Sequence, residues 1–335
     1  MAQALLLTAT APDDHRTQHH APLRDLRRSA EDDRFGVHSV TEDPAAADVI
    51  LFVESYGAGW HFERVRRHPL ARRYREKCFI FCTNPFVIPF LPGIYTGVGR
   101  RWASARTITG FYIGLDENEF ATFTPPTDDL PYLFSFTGSV ATAPIRRKLS
   151  GVTHPRALFQ DTSADWQRVL NGQMDAVERE RFDRRYTDAT KMSKFVLCPR
   201  GLSPSTIRVF ETMRMGRVPV ILSDEWIEPP GPAWDQFTVR VPENAYAEIP
   251  TLLERREHEA ITMGNRARQE WLDWFSDEVK FHRTIDWCLA IKDRRRLSES
   301  LARWPVYAQY LRPFHFRRAL SLKYRSLRRG LGRER

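Results

Sequence analysis

The chain is 335 residues long, with 42% hydrophobic and 28% charged residues. These are the proportions of a water-soluble globular protein, and the length suits two domains that each bury a core. No apolar run approaches the roughly eighteen residues that a membrane-spanning helix needs, so we expect no such helix. The formal net charge of +9 is unevenly placed, because residues 312–335 hold nine Lys or Arg and one acid and so carry +8 of it.

The N-terminal half alternates short apolar runs with charged, helix-like segments. Residues 4–8, 49–53 and 78–82 are the candidate strands, and this alternation predicts a doubly wound α/β domain. The opening MAQALLLTATAPDDH has no basic segment and only a short apolar stretch, so it predicts a first strand and not a signal peptide. Cys78 and Cys82 would lie about 13 Å apart along one strand, too far for a disulfide. Reduced thiols favour a cytoplasmic setting.

Two side chains after the strand at 49–53 are candidates for a general base. Glu54 ends that strand, where a carboxylate would face a cleft, although a turn or capping role explains it equally well. His61 follows closely, and an ordinary surface histidine is the alternative. The loop at 84–95, dense in proline and aromatic residues, predicts either a platform on which a ligand ring could stack or plain loop packing.

Metal-binding patterns are weak in this sequence. His15, His19 and His20 lie in a polar segment without a second pair of ligands, which favours a solvated loop. The tripeptide D-E-N at 116–118 is the nearest approach to a D-x-D motif, and a turn is the simpler interpretation. We therefore expect no metal cofactor.

The most informative segment is residues 193–243, SKFVLCPRGLSPSTIRVFETMRMGRVPVILSDEWIEPPGPAWDQFTVRVPE. Its apolar runs at 195–198 and 218–222 predict strands buried on both faces. Between them, apolar spacings of three and four predict a helix that begins at Ser205 or Thr206 and ends at Gly216. The loops at the two strand ends then lie side by side, where open α/β sheets bind ligands.

The side chains around this helix start predict a phosphate site. Arg200 and Arg208 offer planar, charged donors suited to phosphate. Backbone amides near Ser205 and Thr206 would add the positive end of the helix dipole, with no metal needed. Glu211 lies on nearly the same helical face as Arg208, so it could accept hydrogen bonds from ribose hydroxyls. A solvated surface ion pair between Arg208 and Glu211 is the alternative.

Asp224 and Trp226 directly follow the second strand of this segment. Both could contact the sugar or the base of a bound nucleotide at the end of the sheet. Trp226 could instead pack beneath the loop at 229–232.

Several of these motifs resemble those of the exostosin family of glycosyltransferases. In the C-terminal half they are C-P-R-G at 198–201, R-V-F-E-T at 208–212, G-R-V-P-V-I-L-S-D at 216–224 with the following Trp226, and W-D-Q-F-T-V-R-V-P-E at 234–243. Upstream they are Y-L-F-S-F-T-G-S at 132–139 leading to Ile145-Arg146, and D-P-A-A-A-D at 43–48. Together they extend the resemblance over most of residues 40–255.

The resemblance implies a GT-B architecture, in which two Rossmann-like domains face each other across a cleft. We expect an acceptor-side domain over residues 1–165, a domain that binds the nucleotide sugar over 166–305, and a basic tail over 306–335. Residues 263–295 are placed to form late helices that cross back and brace the first domain. The resemblance also implies inverting, metal-independent transfer from a UDP- or GDP-linked sugar to a glycan or lipid-linked acceptor in bacterial cell-surface polysaccharide synthesis.

Two other functions stay open. Fucosyltransferase-like GT-B enzymes also pair a Glu-bearing helix with a G-x-V-P-V strand, and they use a guanine nucleotide. A non-catalytic protein of the same fold could bind a sugar nucleotide or a membrane. The joint presence of Arg200, Arg208 and Glu211 favours an enzyme over that last alternative.

The basic tail predicts a contact with a membrane surface. Its apolar residues recur at helical spacing among arginines, at Phe316, Leu320, Tyr324 and Leu327. This is the pattern of an amphipathic helix on an anionic membrane. A solvated end and a nucleic-acid contact are the alternatives. We expect a cytoplasmic protein that reaches the inner membrane face through residues 312–335, with no nucleic-acid partner.

Overall fold

The computed structural model describes residues 1–10, 20–55, 62–85, 88–114 and 118–313, together with positions 316, 317, 320 and 324. Over these ranges the chain forms two parallel β-sheets with helices packed against them. The predicted α/β class is confirmed, and the two separate parallel sheets are those of the expected GT-B architecture.

The strands of the two sheets are short and almost entirely apolar. They are β1 (Gln3–Leu7), β2 (Ser39–Val40), β3 (Val49–Glu54), β4 (Cys78–Cys82), β5 (Gly93–Tyr95), β6 (Thr107–Thr109), β7 (Tyr132–Gly138), β8 (Ala157–Asp161), β9 (Ser193–Pro199), β10 (Val218–Leu222) and β11 (Val239–Arg240). The strands predicted at 78–82 and 218–222 have these same bounds, and those predicted near 4–8, 49–53 and 195–198 differ by one or two residues at their ends.

Helices of very different length connect the strands. They are α1 (Ala21–Glu31), α2 (Glu63–Arg67), α3 (Pro69–Arg73), α4 (Pro144–Leu149), α5 (Ser163–Leu170), α6 (Ala176–Lys191), α7 (Ile207–Arg214), α8 (Ile249–Arg255), α9 (Ala260–Trp274), α10 (Lys280–Asp293), α11 (Glu299–Ala302) and α12 (Trp304–Tyr307). None of the helices in the described ranges has the length and apolarity needed to cross a bilayer.

The first sheet has the strand order β2-β1-β3-β4-β5-β6, with every pairing parallel. Its central strands β3 and β4, with sequences VILFVE and CFIFC, are buried along their whole length. Continuous apolar runs of this kind are stable only when both faces of the sheet are covered. All four cysteines of the chain are buried free thiols.

The second sheet has the order β11-β10-β9-β7-β8 and is also parallel throughout. Its centre, β9 and β10, is fully buried and carries α7 as the crossover helix between the two strands. Gly216 follows α7 with φ +74°, the left-handed conformation in which glycine commonly ends a helix.

The sheets divide the chain earlier than the sequence suggested. Both β7 and β8 pair within the second sheet, so the change between the two sheets falls between residues 109 and 132. The expected boundary near residue 165 places both strands in the first domain, which the pairing of β7 with β9 contradicts. The heavily charged helix α6 lies between β8 and β9 and so belongs to the second sheet's domain.

The last helices return to the first sheet, as expected of a brace. Phe281, Ile285 and Cys288 of α10 are buried in a core shared with the first sheet. The buried ammonium of Lys280 pairs with Asp25 of α1 at 2.6 Å. Farther on, Glu299 pairs with Arg106. The C-terminal end of the predicted second domain of residues 166–305, from α10 onward, therefore packs on the first lobe.

The two sheets present their carboxyl ends to each other. The segment after β5 meets the segment after β10, where Gly99 forms a β-bridge with Trp226. Arg100 reinforces this contact, because its backbone N–H donates to Glu225 O at 3.0 Å and its Nε donates to Asp224 O at 2.9 Å. Ligand-binding groups at both sets of strand ends can therefore serve one cleft.

Candidate functional site

The candidate site lies where β7, β9 and β10 end. Gly138 ends β7 and Ser139 follows it, Arg200 follows β9, and Ser223 and Asp224 follow β10. Ser223 Oγ donates to Pro204 O at 2.8 Å and so joins the end of β10 to the loop that leads into α7. The predicted adjacency of the two loops is thus observed.

Arg208, on the first turn of α7, reaches across to the end of β7. Its Nε donates to Thr137 O at 2.9 Å. Its guanidinium lies over the rings of Phe136 and Tyr186, at 5.4 and 5.6 Å from their centroids. These contacts hold the guanidinium in place by cation–π attraction, and no carboxylate in the described ranges forms an ion pair with it. Arg208 therefore keeps donors for an anionic ligand.

Arg146, on α4, is a second arginine of this site. The sequence predicted no role for it beyond the I-R motif. Its side chain is buried, and its three nitrogens donate to Arg200 O at 2.9 Å, Pro199 O at 3.1 Å and Ser139 O at 3.2 Å. Burial, followed by the nearby charge of Arg208, lowers the pKa of Arg146 to about 9.

The charge of Arg146 is unusual because carbonyl groups are its hydrogen-bond partners. A buried cation without an anionic partner is costly, and Arg208 adds a second positive charge nearby. Within the described residues, Arg146 forms no ion pair with a carboxylate. An anion bound between the two arginines would offset this cost, and perturbed groups in a cleft commonly mark functional sites.

Gly138, the glycine of the F-T-G-S motif, leaves room for Arg208. A Cβ atom built on Gly138 would lie 2.2 Å from Nη2 of Arg208. We predict that Gly138→Ala displaces the guanidinium and weakens nucleotide binding by about tenfold, the scale of one charged hydrogen bond. Gly151→Ala is the matched control, because its Cβ would meet only Lys148 O at an ordinary 3.6 Å. Equal nucleotide affinity in the two variants would contradict this role of Gly138.

Arg200 and Asp224 are tied to Glu243 beyond β11. Arg200 Nε donates to Glu243 Oε1 at 2.7 Å, and the Glu243 backbone N–H donates to Asp224 Oδ1 at 3.1 Å. The Asp224 carboxylate therefore fixes the loop that follows β11, while the side chain of Arg200 stays 30% exposed. Arg200 can contribute charge to the site, but Nε of its guanidinium is already bound to Glu243.

The start of α7 lies at the same edge. Thr206 is the N-cap residue, with extended φ −142° and ψ 137°, and its side chain makes no capping hydrogen bond. Ser205 and Thr206 are both buried. The first backbone N–H groups of a helix have no partner within the helix, so this start offers amides to an anion as the sequence predicted.

Glu211 faces a cavity between the two lobes. The cavity is lined by α7 on one side and by Tyr112, Trp271 and Lys280 on the other. Tyr186 Oη donates to Glu211 Oε2 at 2.7 Å. Burial raises the pKa of Glu211, while the Tyr186 hydrogen bond and the Arg208 charge oppose that rise. The second oxygen of Glu211 is left to accept a hydrogen bond from a ligand.

Trp226 serves packing. Its side chain is 1% exposed and meets Trp234 edge-on, with ring centroids 5.3 Å apart. Arg240 covers its ring at 5.8 Å from the centroid. A ring enclosed in this way cannot stack on a nucleotide, so the structure contradicts the predicted donor contact and favours the alternative of packing.

Glu54 ends β3 at the carboxyl edge of the first sheet and is fully buried. Thr8 Oγ1 and Thr10 Oγ1 each donate to its Oε2 at 3.1 Å, and Ala9 N–H donates to Oε1. Burial raises the pKa of Glu54 to about 7, against the lowering effect of these hydrogen bonds. A carboxylate that titrates near neutral pH is suited to accept a proton.

Four other predicted features lie wholly or partly outside the described residues. His61 and the acidic pair of the D-E-N tripeptide fall there, as do His15 and His19 of the histidine-rich segment. The proposed acceptor platform at 84–95 is described except for residues 86–87, and it contains β5.

A comparison with known protein families finds a match to the part of the chain that holds this site. Residues 122–256 match the Exostosin GT47 domain. The match covers about 40% of the chain. The matched range spans β7 to α8 and holds Gly138, Arg146, Arg200, Arg208 and Glu211.

Individual relatives match this chain over short ranges. An Exostosin-1 homolog of Caenorhabditis elegans is 36% identical over 92 residues, which is 27% of this chain and 24% of that protein. A probable glucuronosyltransferase of Oryza sativa subsp. japonica is 29% identical over 114 residues, or 29% of this chain and 27% of that protein. The alignments thus span about a quarter of these relatives.

Solved structures resemble the whole chain only distantly. Anabaena HepE in complex with UDP matches at 11% identity and a TM-score of 0.37, covering 87% of this chain and 100% of that one. Acinetobacter baumannii MurG matches at 11% identity and a TM-score of 0.40, covering 86% and 99%. With scores this low, the description of the fold rests on the two sheets themselves.

Proposed function

We propose that the protein is an inverting glycosyltransferase that moves a sugar from a nucleotide donor to a glycan or lipid-linked acceptor. The observation that carries this proposal is the pair Arg146 and Arg208, two adjacent arginines without carboxylate partners in the described structure, beside an open helix start in an exostosin domain. A nucleoside diphosphate supplies the anion that this arrangement lacks.

The diphosphate would be the leaving group of the reaction. An oxygen of the acceptor hydroxyl forms a bond to the anomeric carbon as the bond from that carbon to the diphosphate oxygen breaks, which inverts the configuration. Negative charge grows on the diphosphate in this step, and fixed donors aimed at growing charge lower the barrier. Arg208, Arg146 and the amides at the start of α7 perform this task in our proposal, so no metal ion is assigned to it.

The proton of the acceptor hydroxyl would move to Glu54. Glu54 stands in register with Cys82 of β4, and Cys82 with Tyr95 of β5. Gly99, four residues beyond Tyr95, contacts the second lobe at Trp226. Glu54 therefore lies at the sheet edge that faces the donor site, and its pKa of about 7 leaves it partly ionised at neutral pH.

Calorimetric titration with UDP, GDP and their sugar conjugates, in the presence of a chelator, tests the proposal. We expect one nucleotide to bind with a stoichiometry of one per chain, and its base to identify the donor class. The Oryza sativa relatives are named probable glucuronosyltransferases, so UDP-glucuronic acid belongs in the first series. Preference for GDP would favour the fucosyltransferase-like alternative, and binding of no nucleotide would overturn the proposal.

The basic C-terminal tail supports the proposal that the acceptor is lipid-linked and is reached at the inner face of a bacterial membrane. Among the described residues of this region, large apolar side chains are exposed at Leu301, Trp304, Leu311, Phe316 and Leu320. Apolar side chains next to arginines favour binding to an anionic bilayer surface.

Deletion of residues 312–335 tests this surface contact. We expect the full chain to sediment with vesicles that contain anionic lipid, with binding that falls as salt rises, because screening weakens surface charge interactions. The shortened chain should lose this binding and keep its nucleotide affinity. Vesicles of neutral lipid are the control, and salt-sensitive binding that survives the deletion would contradict the assignment.

A further inference from the structure

A cluster of two histidines and one aspartate lies far from the cleft. His282 and Asp286 are four residues apart on α10, so they share one face of the helix, and His38 approaches them from the segment just before β2. His38 Nε2 lies 3.0 Å from Asp286 Oδ1, and His282 Nε2 lies 3.2 Å from Asp286 Oδ2. The expected donor and acceptor roles use none of these residues.

The spacing of these atoms suits a small metal ion. The three potential ligand atoms all lie within 4.8 Å of one another. Zinc binds imidazole nitrogen and carboxylate oxygen at about 2.0–2.2 Å, so ligand atoms on a zinc tetrahedron are about 3.3 Å apart. The two nitrogen-to-oxygen distances in the cluster are close to that separation, and they run to the two different oxygens of Asp286. To complete the tetrahedron, the ligand nitrogens of the two rings must move closer to each other.

The surroundings fix the rings and leave an entry path. The His38 and His282 side chains are 3% and 10% exposed, whereas Asp286 is 44% exposed. Phe35 stacks on His282 with ring centroids 4.2 Å apart. In the described structure, Nδ1 of both rings is buried without a hydrogen-bond partner. Nε2 of each ring faces an oxygen of Asp286, so a metal seated among these atoms would bind Nε2, with the proton of each neutral ring on Nδ1.

Two carboxylates bring negative charge to the cluster. Asp286 contributes one negative charge, and Asp33 lies near enough for its charge to act on His282. The charge of Arg283 also acts on His282 and Asp286 and opposes a cation. Its guanidinium lies over the rings of Phe35 and Trp274, at 4.9 and 4.0 Å from their centroids.

We propose that His38, His282 and Asp286 form a binding site for a divalent transition-metal ion of the zinc class. Two imidazoles and one carboxylate leave a fourth position for water. Zinc-class ions prefer this mixed nitrogen and oxygen set, whereas magnesium and calcium prefer oxygen alone. The ion ties α10 to the edge of the first sheet and has a structural role, separate from the proposed metal-independent sugar transfer.

Metal titration of tag-free, chelator-treated protein tests this proposal. We expect calorimetry to show one zinc ion bound per chain, Co²⁺ to give the visible absorption of a four- or five-coordinate site, and zinc to raise Tm because it binds only the folded state. His282→Gln and Asp286→Asn should each weaken zinc binding by at least about tenfold. Asp286→Asn is the milder change, because this side chain is partly exposed, and it serves if a histidine variant fails to fold.

A matched control separates this cluster from ordinary histidines. His154 pairs with Glu254 at 3.0 Å and is not part of the cluster of His38, His282 and Asp286. The His154→Gln variant should therefore bind zinc like the wild type. Zinc affinity and stoichiometry that are unchanged in both cluster variants, or the absence of a cobalt spectrum, would overturn the site. Nucleotide affinity measured in chelator should be equal in all variants, which keeps this test distinct from that of the proposed function.

Discussion

Replacing Glu54 with glutamine is expected to lower kcat by about 10²- to 10⁴-fold, the range that a general base contributes. Glutamine has nearly the same size and keeps an oxygen for the Ala9 N–H, but it cannot take a proton from the acceptor hydroxyl. Donor affinity should not change, because Glu54 belongs to the first sheet and the nucleotide site to the second. Steady-state kinetics beside nucleotide titration measure the two effects separately.

The dependence of kcat on pH identifies the group that acts as the general base. Only ionised Glu54 can accept a proton, so kcat of the wild type should rise through about pH 7 and level off above it, because the pKa of Glu54 is raised to about 7. The Glu54→Gln variant should lack this rise. Glu63→Gln, at a carboxylate on α2 that pairs with Arg67, should retain it.

Stability gives an independent reading of the same carboxyl group. The pKa of Glu54 is higher in the folded chain than its ordinary value of 4.5, so folding favours the protonated form. The stability contributed by this protonation is complete below pH 4.5 and is lost as pH rises through about 7. Glutamine is neutral at every pH, so the wild type should lose more Tm than the variant between pH 5 and pH 8. If the Glu54→Gln variant has a lower Tm but the same pH profile of kcat as the wild type, then Glu54 only holds the segment after β1 to β3.

The strands and the crossover helix α7 could be predicted because their signals are local. The runs CFIFC and VPVIL specify buried strands by composition alone, and the helix from Ile207 to Arg214 follows from its apolar spacing and its terminal glycine. Arg208 was predictable as a site residue because it occupies the first turn of that helix.

The remaining features depend on contacts between distant parts of the chain. β2 and β11 have two residues each, too few to show a periodic pattern. The boundary between the sheets was misplaced because strand pairing, and not composition, assigns β7 and β8. Arg146 joins the site through carbonyls that lie 7 to 54 positions away.

The cluster of His38, His282 and Asp286 shows most clearly that sequence patterns do not reveal contacts between distant residues. His38 and His282 are 244 positions apart, and no spacing rule links them. The sequence drew attention to the dense histidines near His20 instead, since those are adjacent in the chain. Only the return of α10 to the first sheet places His282 beside His38.

Replacing Arg208 with alanine is expected to weaken nucleotide binding by about 1.5–3 kcal/mol, or about 10- to 150-fold in Kd. Arg208 combines charge with fixed geometry, because Thr137 O and the rings of Phe136 and Tyr186 orient its guanidinium. Calorimetric titration of the nucleotide that binds the wild type provides the measurement. Arg255→Ala, at an exposed arginine bound to a carbonyl of its own helix, should leave the affinity unchanged.

The Arg208→Lys variant then separates charge from geometry. Lysine keeps the positive charge but loses the planar fork that can bind two phosphate oxygens while Nε holds Thr137 O. If the planar fork contributes to binding, the Kd of the lysine variant should lie between those of the wild type and the alanine variant. Most of the affinity that alanine loses should then also be lost with lysine. Full recovery by lysine would mean that Arg208 acts through charge alone, and unchanged binding in the alanine variant would remove it from the site and leave Arg146 and the helix start to hold the anion.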